Sequence, residues 1–212
     1  LLVAFFMLGA GALRTPAQSQ KMIGGGVGKM IPLNRLGQRF MPTESYFINA
    51  GWRRDEKTTV QLQYYAFKFD NINKTKMTFN DLKMSLAFQI VGLIYDYEVI
   101  QLPLWTSLYL TGGFTLNKWA FNRKAYSYID GSDSTSATLY EFDDYQRDDW
   151  SWGGCAGLTL RVSPFSFLHM GIRTQYHFVI AELWPALKLD MEKVSGLEFI
   201  ESGIFIEISK EF

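Results

Sequence analysis

The chain of 212 residues carries 21 basic and 21 acidic side chains, a formal net charge of zero, so composition calls for neither nucleic acid nor another strongly charged partner. Aromatics make up 16% and glycines number 18, yet no stretch reaches the roughly 20 apolar residues that a spanning helix needs, which excludes an α-helical membrane protein for the bulk of the chain. The single cysteine, Cys155, excludes an internal disulfide and a cysteine-rich zinc site, and it reads as a small apolar strand residue.

Leu1 to Leu13 is a compact apolar run followed by Arg14-Thr15-Pro16-Ala17. Its length suits the apolar segment of a secretory signal, and Thr15 and Ala17 are small enough for a cleavage site. We therefore expect a signal peptide over residues 1–20, lacking its basic start, and an exported domain over 21–212. No cysteine follows the run, so a lipid anchor is not expected.

Lys21 to Leu33 is the weakest strand, because Gly24-Gly25-Gly26-Val27-Gly28 is suited to bends and close backbone approach. Its likeness to a phosphate loop fails for want of the Gly-Lys-Ser/Thr ending and a following helix. Asn34 to Ser45, with Pro42, reads as a loop. Tyr46, Ile48, Ala50 and Trp52 then alternate with Phe47, Asn49, Gly51 and Arg53, the period of a strand, and Arg53 to Lys57 is short enough for a hairpin. Val60, Leu62, Tyr64 and Ala66 alternate with Gln61, Gln63, Tyr65 and Phe67. The polar stretch Asp70 to Lys76 makes a second loop.

Leu82, Met84, Leu86, Phe88 and Ile90 form the clearest apolar ladder, opposed by Lys83, Ser85, Ala87 and Gln89. Tyr95 to Gln101 reads as a turn. Leu104, Leu108, Leu110, Gly112 and Phe114 then face away from Trp105, Ser107, Tyr109 and Thr111. Asn122 to Asp149 is the longest polar segment. Trp150, Trp152, Gly154, Ala156, Leu158, Leu160 and Val162 resume the ladder until Ser163-Pro164 turns it. Leu168, Met170, Ile172, Tyr176 and Phe178 oppose His169, Arg173, Gln175 and His177. After the connection Ala181 to Gly196, the last strand sets Ile204, Ile206, Ile208 and Phe212 against Phe205, Glu207, Ser209 and Glu211.

About eight strands, alternately long and short connections, and a last strand that ends on an aromatic together resemble the bacterial outer-membrane β-barrels over Lys21 to Phe212. These families include the PorT-like barrels of Bacteroidota and the OmpA-type transmembrane domain, and no motif in the chain singles out either. The resemblance implies an all-β, closed, antiparallel up-and-down barrel in the outer membrane with both termini in the periplasm. It also implies lipid and lipopolysaccharide as surroundings, and a barrel-assembly machinery that reads the terminal strand through Ile204, Ile206, Ile208 and Phe212.

In hydrocarbon each unpaired backbone polar group costs several kcal/mol, so a spanning sheet must close. Leu82, Leu86, Phe88, Leu108, Leu110, Leu158, Leu160, Ile172, Ile204 and Ile206 are expected to face lipid. Tyr46, Trp52, Trp119, Trp150, Trp152 and Tyr176 are expected in the aromatic girdle at the headgroup boundary. Asn49, Gln61, Gln63, Lys83, Gln89, Arg161, Arg173, Gln175, Glu201 and Glu207 should fill the lumen, because eight strands leave only enough room for side chains. Glu207 and Glu201 near Arg173 and Lys83 are the expected ion pairs, since buried charges must be paired. The competing architecture is a soluble sandwich whose aromatics form its core.

Enzymatic chemistry finds little support. His169 and His177 point inward on one strand, and a Ser-His-Glu set from Ser166 or Ser209 with Glu207 is the weak alternative. Asp143, Asp144, Asp148 and Asp149 lack the spacing of a calcium loop and read as a solvated acidic surface. No cofactor or metal is expected. The function expected is non-enzymatic: a structural or accessory barrel of an envelope or secretion assembly, with loops that contact a protein partner. A small transport or ligand-binding barrel is the second reading, and a lipid-modifying enzyme the third.

Overall fold

The computed structural model describes residues 20–55, 57–76, 82–130, 138–182 and 195–210. The signal peptide as far as Ser19, Phe212 and most of the connection after Ala181 therefore lie outside the described residues, whereas Gln20 already opens the first strand. Eight strands form the barrel: β1 (Gln20–Pro32), β2 (Thr43–Arg53), β3 (Thr58–Phe69), β4 (Met84–Leu102), β5 (Thr106–Arg123), β8 (Tyr145–Phe165), β9 (Leu168–Glu182) and β10 (Ser195–Lys210). A short helix, α1 (Asn34–Arg39), follows β1, and β6 (Tyr126–Asp130) with β7 (Thr138–Phe142) makes a separate two-stranded sheet between β5 and β8.

Every neighbouring pair is antiparallel, and β1 closes on β10, pairing from Lys21 with Lys210 to Pro32 with Phe199. The register row from Thr58 through Tyr97, Leu110, Leu158, Thr174, Ser202, Lys29 and Glu44 returns to β3 about ten residues above its start. That stagger tilts the strands and sets a narrow interior. Short turns join the strands at one end. α1 and the β6–β7 hairpin lie at the other.

Two expected turns and the long polar segment are corrected. Tyr95 to Gln101 lies inside β4, whose outward Tyr95 and Tyr97 continue its alternation; Pro103, without an N–H for the ladder, marks the true turn. Ser163-Pro164 lies inside β8, and the chain reverses at Ser166-Phe167 instead. Asn122 to Asp149 is largely strand, because β5 runs to Arg123, β8 starts at Tyr145 and the hairpin occupies the space between.

The faces of the sheet change character along its height. Towards the short turns, Ile23, Ile48, Leu62, Leu93, Leu110, Phe114, Leu158, Ile172, Ile204 and Ile206 are exposed on the outside. Towards the long connections the outside turns polar, with Lys68, Gln89, Lys118, Asn122, Gln146 and Asp148 exposed, and the inside turns apolar. Leu82, Leu86 and Phe88 thus point inward, not to lipid, and Lys83 and Gln89 point outward. Strand alternation was read correctly there and its face inverted.

The seam depends on glycine. A Cβ on Gly26 would strike the Ile204 carbonyl and the Phe47 ring, whereas one on outward-facing Gly112 would meet only the Cys155 carbonyl at 3.8 Å. Gly26→Val should therefore cost about 3 kcal/mol in urea unfolding from detergent micelles, as overpacking does, and Gly112→Ala should leave the midpoint unchanged. Migration of the folded band on unheated gels measures both.

Candidate functional site

Among the described residues, chemistry-bearing side chains converge in the lumen, which has two storeys. In the lower storey alternation brings Asn49 and Gln61, with Asp96, Thr111, Thr159, Arg161 and Glu207, to the same level from six strands. Arg161 lies 3.0 Å from Glu207 Oε2 and 3.7 Å from Asp96 Oδ2, with its guanidinium 4.6 Å from the Tyr109 ring centroid. Asn49 Nδ2 donates to Glu207 Oε1 at 2.6 Å, Gln61 Nε2 to Asp96 Oδ2 at 2.9 Å, and Thr111 Oγ1 to Asp96 Oδ1 at 2.7 Å. One cation thus holds two carboxylates, while amides donate to Glu207 Oε1 and Asp96 Oδ2 and a hydroxyl donates to Asp96 Oδ1.

One step higher, Arg173 Nε donates to Glu201 Oε2 at 3.1 Å, and its guanidinium sits 3.7 Å above the Phe47 ring centroid. The Tyr65 hydroxyl donates to Gln63 Oε1 at 2.7 Å and lies 2.9 Å from the Gln175 amide. At the short-turn mouth His169 bridges Ser163 Oγ at 2.7 Å and Ser209 Oγ at 2.9 Å, and Gln20 Nε2 donates to Ser209 Oγ at 2.7 Å. These bonds tie the first and last strands to the β8–β9 turn.

The upper storey is aromatic. Phe67 stacks on Phe88 at 5.1 Å, meets Phe199 edge-on at 5.3 Å, and Phe69 packs on Phe40 at 5.8 Å. His177 lies between the storeys, 5.1 Å from Phe199 and 5.5 Å from Tyr65, with neither ring nitrogen hydrogen-bonded. α1 closes the top by burying Leu36 and Phe40. It is fastened on one side by Asn34 Nδ2 donating to Glu198 Oε2 at 2.6 Å, and on the other by Asn73 N donating to Arg39 O at 2.8 Å. Burial and the like charge of Arg35 lower the Arg39 pKa to about 10, so it stays protonated at neutral pH.

Of the side chains expected in the lumen, Asn49, Gln61, Gln63, Arg161, Arg173, Gln175, Glu201 and Glu207 lie there. Lys83 and Gln89 do not, because β4 turns its apolar side inward above the belt. Glu207 pairs with Arg161 rather than Arg173, whose partner is Glu201. Tyr46, Trp52, Trp150, Trp152 and Tyr176 are exposed outside; Trp119 is buried inside beside Phe88, so it leaves the girdle. Ile204, Ile206 and Ile208 face outward on β10. Asp96 was missed because it stood in an expected turn, although an acid between Tyr95 and Tyr97 is the signal of an inward charge in an apolar strand. Among the described residues no three His, Cys, Asp or Glu side chains converge as a metal site would.

The barrel matches solved structures. The major outer membrane protein of Thermus thermophilus superposes with a TM-score of 0.57 at 8% identity, over 90% of this chain and 100% of that one. The chain has the outer-membrane β-barrel fold. Neisserial surface protein A follows at 12% identity and a TM-score of 0.49, over 94% of this chain and 100% of that one. The Yersinia pestis attachment invasion locus protein, Ail, follows at 12% and 0.47, over 92% and 100%. No protein-family model and no curated protein matches the sequence.

In a barrel of this fold the ion cluster is a stability determinant. Arg161→Met should cost about 3–5 kcal/mol, since it strands Glu207 and Asp96 without a cation, and adding Glu207→Leu to it should recover part of that loss. Urea titration of the three proteins in micelles measures the difference.

Proposed function

We propose that this protein is a non-enzymatic integral protein of a bacterial outer membrane, acting as a structural or accessory component of an envelope or secretion assembly. In this reading both termini are periplasmic, the outward belt meets outer-membrane lipid and lipopolysaccharide, and the assembly machinery recognises the β10 ladder of Ile204, Ile206 and Ile208. The observation that carries the reading is the filled lumen. The lower storey is bridged by Arg161, Asp96 and Glu207, and the upper by Phe67, Phe88 and Phe199, beneath the α1 cap. Among the described residues these inward side chains are buried, as in a packed lumen rather than an open one.

What remains for function is the long-connection end. The β6–β7 hairpin forms a sheet of its own, with Tyr126 packed on the aromatic core, and exposes Leu139 and Glu141, which suits contact with a protein. An enzymatic role is not favoured. Both nitrogens of His169 are engaged by serines, and His177 is sealed among aromatic rings.

Folded protein in planar bilayers should show no discrete conductance steps; stable steps would assign transport instead. Removing residues 126–142, which spares β5 and β8, should preserve folded-band migration while abolishing the pull-down of its envelope partner. An unchanged partner set would defeat the loop-mediated role. Replacing His169 and His177 should leave lipid A unaltered in mass spectra.

A further inference from the structure

The short-turn end is divided into two unlike halves. One half, at β10, β1 and the β2–β3 turn, is charged and mainly basic, with Lys21, Arg53, Arg54, Lys57 and Lys210 beside Asp55. The other, at the β4–β5 and β8–β9 turns, carries no charged residue from Val99 to Leu110 or from Val162 to Leu168. Leu104 is 79% exposed and Trp105 69%, more than any other large apolar side chain described, the next being Ile23 at 67%. Phe165 and Phe167, also exposed, stack at 5.6 Å, and Ser163 N donates to Trp105 O at 2.9 Å, joining the two turns into one surface.

Two backbone features push these side chains outward. A bulge between Glu98 and Ile100 leaves Val99 and Ile100 both exposed on consecutive positions. Leu104 and Trp105 adopt φ of 62° and 56°, a hairpin conformation that Asn-Gly takes without strain and bulky residues take at about 1–2 kcal/mol each. The tip is therefore held in a costly conformation that displays a leucine and a tryptophan. β4 pairs with β3 only as far as Tyr97 and then runs on with β5 alone, so this tip reaches beyond the β2–β3 turn.

We propose that the β4–β5 and β8–β9 turns form an apolar keel embedded in the phospholipid headgroup layer at the short-turn end, so that the barrel sits deeper in that leaflet on this side than on its basic side. The keel rests on the membrane-spanning reading given above. Its occupant is lipid because the surface continues the belt without a break: Leu108, Leu160 and Val162 lie directly above it on the same strands. The tryptophan has an apolar body and one polar edge, which suits the headgroup boundary. The lysines and arginines across the end keep their charges in water on the shallow side.

The test uses the full chain folded into phosphatidylcholine vesicles, with lipids brominated near the headgroup as quencher. Trp105 emission, taken as wild type minus Trp105→Phe, should lose most of its intensity to brominated lipid and little to acrylamide. Quenching by acrylamide and not by brominated lipid would overturn the keel and leave the surface to a water-borne partner. Trp152 emission, taken from Trp152→Phe in the same way, serves as reference. If Trp152 is unquenched, the spanning reading itself fails; if Trp152 is quenched and Trp105 is not, only the keel fails. The double substitution Leu104→Asn with Trp105→Gly relaxes the turn. It should unfold in micelles no earlier than wild type yet insert into vesicles more slowly, and unchanged insertion would count against the keel.

Discussion

Everything in this structure depends on pairing the backbone where no water is available to do it. A β-strand in hydrocarbon leaves a row of N–H and C=O groups that only another strand can satisfy, so the sheet has to end where it began. The β1–β10 pairing is that closure. It is made possible by Gly24, Gly26 and Gly28, whose missing side chains let Phe47, Glu201 and Glu207 occupy the lumen beside the seam. A glycine-rich strand that looks poor on propensity is thus the one best suited to its position, since a side chain there would compete with those that fill the interior.

Closure with so few strands dictates the interior. The cross-section admits side chains and little else, and each inward residue must match its neighbours in polarity. Within the belt the outside is apolar, so the polar residues of each strand are inside, and they survive there as pairs: Arg161 with Glu207 and Asp96, Arg173 with Glu201. Above the belt water wets the outside. The strands then invert, with Phe67, Phe88, Trp119 and Phe199 inward and Lys68, Gln89 and Lys118 outward. The same barrel is a membrane protein in its lower part and a water-soluble barrel with an aromatic core in its upper part. Where the two meet, Tyr65 offers its hydroxyl to the polar storey and its ring to Phe47 and His177.

That inversion explains what the sequence could and could not reveal. A period of two identifies a strand but not which face meets lipid, and a ladder reads equally well in either sense. For β9 and β10 the assignment was secure, because isoleucines opposed arginine, histidine and glutamate. For β4 it was not. Leu82 to Ile90 was the clearest ladder in the chain, yet it belongs to the part above the belt, where apolar means inward. The outward side of β4 within the belt is instead Val91, Leu93, Tyr95 and Tyr97, the last two of which stood in an expected turn. Trp119 failed for the same reason: tryptophan near a strand end suits a girdle or a core, and only its neighbour Phe88 across the sheet decides. Arg173 was expected beside the two glutamates and does pair with Glu201, whereas Arg161 as the partner of Glu207 was beyond reach, because that pairing depends on the stagger of the whole barrel, which no local pattern encodes.

A polar lower storey is not the most stable way to fill a barrel. Replacing a buried ion pair by well-packed apolar groups is often neutral or stabilising, so Arg161 and its two acids are better understood as fixing which strands neighbour which. Arg161 on β8 reaches Glu207 on β10 and Asp96 on β4, which flank it at two strands' remove on either side. A register slip of one residue on any of the three would turn its charge out into lipid. Slipped pairings, which an alternating apolar sheet would otherwise tolerate, are thereby penalised by an unpaired charge in hydrocarbon. The cluster acts as a lock on the stagger, and the stagger in turn places α1, the hairpin and the uncharged turns at their respective ends.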